Sequence, residues 1–346
     1  MFLHSIEKPS VFHASIPLVP MGKYAHIVVL RETSSFPLFQ TDQELNFAQV
    51  GAGLTTNEII SRIVVFKRKQ TTPERLTGRE LLRRYKLTTD EESNDKEHYC
   101  EYNSEHFCKH CPDCIYYGFA IGQEGSERSK VLVDSAFSLS NYDESHQSMT
   151  FNAPYEHGTM SKNGQTKSSF GEQDHVLPQV FFPSIVTIRD PTEAEFIYVL
   201  NNILRTKRYG AQTTRTGTLE NHIVAVAFTD GEICSNLKLT QKLYDQLVDN
   251  AGQIVKGPYQ ATSLIKMATE ILPTLLKTDR VTTHLLIDGA QLTTLIEEVG
   301  EIVTQEDTLV QVLQQAYSEC EDYATRCRPK NSSPEGNKAK KTTKTK

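Results

Sequence analysis

The four cysteines Cys100, Cys108, Cys111 and Cys114 stand in a C-x7-C-x2-C-x2-C pattern, and they constrain this chain more than any other feature. Three thiols at successive three-residue steps bring their sulfurs together, and a fourth upstream completes a tetrahedron, so one structural zinc ion is expected. Glu101, Lys109 and Asp113 lie beside them, which makes inert apolar packing a poor account of the thiols. Iron–sulfur ligation is the competing chemistry, because C-x2-C-x2-C also serves clusters; colour and an absorbance band separate the two. Four thiolates fill every position around a tetrahedral ion and no base adjoins them, which argues for a structural centre. The chain has seven cysteines, an odd number that suits a reducing compartment better than a disulfide framework.

Several function classes drop out. No histidine is followed two residues later by Glu, which removes the zinc deaminase signature. His106 and His110 stand four apart, but Phe107 takes the place of the Glu a zinc protease needs. Gly51-Ala52-Gly53 lacks the third glycine of a dinucleotide loop, and no Gly-Lys-Ser/Thr phosphate loop occurs. No apolar run approaches the roughly 18 residues of a membrane helix, and Glu7 and Lys8 interrupt the N-terminal stretch. Neither signal peptide nor anchor is expected, and the cytoplasm is the expected location.

The net charge of -6 hides a basic segment. Arg62 to Lys86 holds nine Lys and Arg residues against Glu74 and Glu80, a local footprint that suits a phosphate backbone, although a solvated helix face has the same composition.

Periodicity places the core. YAHIVVLR (24–31) reads as a buried strand, and PSIVTIR (183–189) as another. Asp190 suits an N-cap, Pro191 a first helical position, and Phe196, Ile197, Leu200, Ile203 and Leu204 make an apolar helix face. HIVAVAF (222–228), Asp230-Gly231 and Ile233 to Leu239 read as a hairpin, helical spacing follows to Leu275, and Val281 to Ile287 reads as a closing strand. Arg128 to Phe137 reads as a further strand. Strand, helix, hairpin, helix, strand is a ferredoxin-like order, which predicts an α+β fold with a ferredoxin-like core and large insertions. His157, Glu172 and Asp174 lie in a polar stretch, 141–177, that reads as a long hairpin or loop. The Lys-rich end, 328–346, is expected to be disordered.

The strings CPDCIYYGFAIG (111–122), GSERSKVLVDSAFS (125–138), YDESHQ (142–147), FNAPYEHGTM (151–160), EQDHVLPQV (172–180) and RDPTEAEFIYVLNNILRTKRYGAQTTRTGT (189–218) together resemble the RNA-binding backbone subunit of the type I-D CRISPR interference complex, a Cascade-type assembly. The resemblance spans Tyr24 to about Leu239. It implies a modified RRM/ferredoxin-like core of the RAMP superfamily whose copies stack into a filament along CRISPR RNA, with target DNA and the other subunits of the complex as partners. It divides the chain into a core start (1–50), a basic lid (51–88), a zinc-binding insertion (89–118), a core strand (119–140), a thumb-like hairpin (141–177), the RRM-like core (178–289), a helical segment (290–327) and a disordered basic tail (328–346).

On that resemblance RNA lies along the core with its phosphates neutralised by basic residues. Arg31, Lys67, Arg68, Lys130, Arg205, Arg208 and Arg215 are the expected contacts, chosen at strand ends, in the basic segment and in the loop after the core helix. A second hypothesis is a metal-dependent nuclease acting on single-stranded target DNA, since related filament subunits cut target strands with a loop carboxylate and a divalent ion. Glu172 and Asp174, with Asp134 behind them, are then the candidate catalytic groups and Mg the cofactor.

Overall fold

The computed structural model describes residues 2–89, 98–122, 125–150, 155–156, 161–163, 165–166, 171–249 and 253–327. Strand β1 (Tyr24–Thr33) is the β-branched run expected at the centre, buried on both faces. It is followed by β2 (Phe47–Gly51), β3 (Ile59–Val65), helix α1 (Lys67–Arg84), the short helix α2 (Pro112–Tyr116) and strands β4 (Val131–Val133) and β5 (Ala136–Phe137). The paired strands β6 (His146–Thr150) and β7 (Glu172–Val176) precede β8 (Phe181–Arg189), α3 (Glu193–Arg205) and β9 (Leu219–Thr229). Helices α4 (Asn236–Tyr244) and α5 (Ala261–Thr278), strand β10 (Thr283–Ile287) and helices α6 (Gly289–Thr304) and α7 (Glu306–Cys327) complete the order.

The main sheet runs β10-β9-β1-β8-β4, with every pairing antiparallel. Taken in chain order, β1, α1, β4, β8, α3 and β9 follow the βαββαβ path of a ferredoxin-like fold, and β10 extends one edge. Alternation along β1 sends Ala25, Ile27 and Val29 toward a cluster with α3, α6 and α7. Val28 and Leu30 point the other way, into a cluster with α4 and α5. Helices therefore cover both faces of the sheet. An RRM stacks bases on an open sheet face; here both faces of the sheet are packed core.

Several local expectations change. Lys67–Arg84, expected in a lid, is the first crossover helix: Gln70, Glu74, Arg79, Leu81 and Leu82 point inward, and it packs on α3. The expected hairpin at Asp230-Gly231 does not form. Ser235 accepts a hydrogen bond from the Lys238 amide and starts α4, and Leu239 and Leu243 bury at helical spacing, so the partner of β9 comes from Thr283–Ile287 instead. Asp190 does not cap α3. Its carboxylate accepts from the amides of Met21 and Lys23, each at 3.0 Å, and Thr192 caps the helix by accepting from the Glu195 amide. The stretch Arg128 to Phe137 splits between β4, in the main sheet, and β5, paired with β3. His157, much of 151–170 and the basic tail 328–346 lie outside the described residues.

Candidate metal centre and nucleic-acid cleft

The cysteine segment folds as the spacing predicts. Cys111 begins the turn into α2, Pro112 occupies its first position, and Cys114 lies one turn on. Cys100 Sγ lies 3.6 Å from Cys114 and 3.9 Å from Cys111, and Cys108 Sγ lies 3.8 Å from Cys114. All four sulfurs fall within 4.8 Å of one another. A tetrahedron with metal–sulfur bonds of about 2.3 Å has edges of about 3.8 Å, so the thiols fit one ion. The cage is too tight for a multi-iron cluster. Hydrogen bonds from Cys108, Cys111 and Cys114 lower the pKa of Cys100, whereas burial raises those of Cys111 and Cys114. A cation at the centre would resolve that conflict by holding all four sulfurs as thiolates.

The cage is tied to the core from two sides. Arg75 and Arg79, one turn apart on α1, converge on Asp113 between two of the cysteines. Arg75 donates to both carboxylate oxygens at 2.8 and 2.9 Å, and Arg79 donates at 2.6 Å. Arg79 also donates to Cys100 Sγ at 3.4 Å, where its charge offsets the thiolates. On the other side Tyr317 of α7 packs on the buried cysteines and against the rings of His98 and His110. The insertion thus bridges the crossover helix and the C-terminal helix.

The expected phosphate contacts separate into two groups. Arg31 is wholly buried, 2.8 Å from Glu74, and donates to Tyr209 and Asn221, so it is a core residue and not a phosphate contact. Lys130 is likewise internal: its ammonium donates to the carbonyls of Arg189 and Asp190 and pairs with the buried Glu195 at 3.2 Å. Arg205 donates to the Val303 carbonyl at the end of α6, a helix-capping contact. Residues at strand and helix ends look exposed in sequence, but each of these three meets a buried or helix-terminal acceptor.

Lys67, Arg68, Arg208 and Arg215 are exposed, as is Arg205 beside its Val303 contact. Arg68 and Arg208, 140 positions apart in sequence, line one cleft of about 420 Å³ with Lys69, Phe66, Thr41 and Thr213. Arg208 is held there by donating to the Thr216 carbonyl at 2.7 Å. Burial and the neighbouring Arg68 charge lower the pKa of Lys69. Lys69 and Phe66 were missed in sequence, although Lys69 belongs to the basic run and Phe66 is an aromatic left 44% exposed where α1 begins. Lys67 lies apart, 3.3 Å from Asp134 at the mouth of a different cleft. Arg215 stands on the same loop as Arg208, next to Gln212.

Glu172 and Asp174 alternate along β7 on one face, across from Thr150 and Ser148 of β6. Among the described residues no third metal-ligating side chain joins them, and Asp134 is engaged by Lys67.

The fold and the four-cysteine cage define an insertion-bearing, ferredoxin-like α+β protein. The family model described as Csc2 Crispr matches residues 11–313, and the chain belongs to that family. A crystal structure of Thermofilum pendens Csc2 is similar over 95% of each chain, with a TM-score of 0.56 at 16% identity. A chain of a CRISPR RNA-guided surveillance complex is similar over 80% of this chain and 99% of its own, at 10% identity and a TM-score of 0.46. A second such complex, described as pre-nicking, gives 75% and 89% coverage at 11% identity and a TM-score of 0.49. No curated protein matches the sequence. None of the described helices is long and apolar enough to cross a membrane.

Proposed function

We propose that the chain binds CRISPR RNA in the cytoplasm as a backbone subunit of a type I-D surveillance complex, stacking with further copies of itself and with the other subunits so that the guide meets target DNA. The observation that carries this reading is the cleft where Arg68, Lys69 and Arg208 converge in a member of a CRISPR family. Three cations in one groove suit successive phosphates, and the exposed ring of Phe66 offers a surface for a base to stack on. Arg215, on the loop beside Arg208, extends the track. In this role the β6–β7 pair forms the base of a thumb.

Zinc is the ion we assign to Cys100, Cys108, Cys111 and Cys114, because four thiolates at tetrahedral spacing match its closed structural sites. It would staple the insertion to α1, and so fix the helix whose first turns carry Arg68 and Lys69.

The test is Arg68→Ala, Lys69→Ala and Arg208→Ala combined in the full chain. Guide RNA binding is expected to weaken, and the slope of log affinity against log salt to fall by about 2, at about 0.7 per phosphate contact on a single strand. Thermal unfolding should move little, since Arg68 and Arg208 are exposed and Lys69 is half-buried. A slope equal to that of the unaltered chain would overturn the assignment of the cleft.

A further inference from the structure

One group of metal-ligating side chains takes no part in either site. Glu32 lies near the end of β1, and Glu220 and His222 lie on β9, the neighbouring strand. The register sets Glu32 directly opposite Glu220 and Leu30 opposite His222. With a side-chain period of two, all three side chains leave the same face of the sheet. Their ligand atoms lie within 4.8 Å of one another. His222 Nε2 is 2.8 Å from a Glu32 carboxylate oxygen, and those two side chains are 24% and 17% exposed. Glu220 is open to solvent.

A simple ion pair accounts for only part of this arrangement. Like charges placed opposite each other on paired strands repel, yet two carboxylates meet here. One imidazole neutralises at most one of them, and among the described residues neither carboxylate pairs with Lys or Arg. The backbone that presents them is the most heavily paired part of the fold, since β1 is bonded to a neighbour on each side. A divalent ion would satisfy both carboxylates and the ring nitrogen together.

We propose that Glu32, Glu220 and His222 form a second metal site, which takes one divalent transition-metal ion of the Mn²⁺ type. A mixed set of one imidazole nitrogen and two carboxylate oxygens suits such an ion, whereas Mg²⁺ prefers oxygen ligands and retained water. Three protein ligands leave positions for water, and exposed Glu220 marks the route of entry. The site stands on the strand that leads out of the basic loop: Thr218, two residues before Glu220, bridges to Arg208. It does not depend on the RNA-binding reading, because the ligand set is complete without a phosphate.

The test uses the full-length protein with zinc in the thiolate cage, titrated with Mn²⁺ and followed by electron paramagnetic resonance, to which zinc is silent. One Mn²⁺ per chain is expected. Changing groups that only support a ligand already costs about 10–100-fold in metal affinity, so Glu220→Gln and His222→Gln should each weaken binding by about tenfold or more. Glu220→Gln sits at an exposed position, and its melting curve and zinc content should match those of the unaltered chain. That variant keeps the test valid if His222→Gln fails to fold. Absence of stoichiometric Mn²⁺ uptake by the unaltered chain, or uptake unchanged in Glu220→Gln, would reduce the group to a surface ion pair and overturn the proposal.

Discussion

Replacing Cys111 and Cys114 together with Ser is expected to empty the thiolate cage and to destabilise the chain by more than about 4 kcal/mol, the range reached when a structural metal is lost. The size follows from what the cage holds. Asp113, between the two cysteines, is the shared acceptor of Arg75 and Arg79, and all of these groups are buried or nearly so. If the segment around α2 comes loose, two guanidinium groups on α1 lose their carboxylate, and Tyr317 on α7 loses the surface it packs on. Metal analysis of the purified variant, with urea unfolding, reads both effects. A metal content equal to that of the unaltered chain would contradict the assignment of these ligands. Normal stability without metal would mean that the cage is decoration and not a staple.

The second large effect concerns a contact that sequence reasoning placed on the surface. Arg31 on β1 and Glu74 on α1 form a fully buried ion pair at 2.8 Å. Arg31 also donates to Asn221 at 2.8 Å and to the Tyr209 hydroxyl at 3.0 Å, and that hydroxyl donates to Glu74. Burying two charges is expensive, so the pair adds little stability by itself; removing one partner strands the other in a medium that cannot solvate it. Glu74→Ala and Arg31→Ala should therefore each cost about 3–5 kcal/mol. Replacing both with Met removes the stranded charge, and the double variant should be more stable than either single alanine variant. Chemical denaturation of the three proteins checks this. If Arg31→Ala left stability unchanged but weakened RNA binding, Arg31 would be the phosphate contact first expected from its place at a strand end.

These two cases show where the fold was legible. Tyr24–Thr33, Phe181–Arg189 and α3 were readable because each is a run or stripe of apolar residues long enough to bury a full face. The cysteine cage was readable because its ligands lie within a short stretch, and spacing alone brings them together. Helix α1 was not, since it turns Gln70, Glu74 and Arg79 inward and satisfies them with distant partners; in sequence it shows only basic charge. The segment Ile233 to Leu239 misled because Asp230-Gly231 is a good hairpin turn, and the cap at Ser235 overrode it. The basic cleft was half legible. Arg68 and Arg208 could be named, but their meeting depends on α1 crossing beside the loop after α3, a tertiary fact that no local pattern carries. The carboxylate–imidazole group at Glu32, Glu220 and His222 was invisible for the same reason, because it depends on strand register.

The central claim is that nucleic acid meets this chain at the cleft between the start of α1 and the loop after α3. Ultraviolet crosslinking of guide RNA within the assembled complex, with mass spectrometry of the adducts, tests it most directly. The account predicts crosslinks in residues 66–73 and 207–215, around Phe66, Arg68, Lys69 and Arg208. Adducts found only elsewhere, with both of those peptides recovered unmodified, would contradict it.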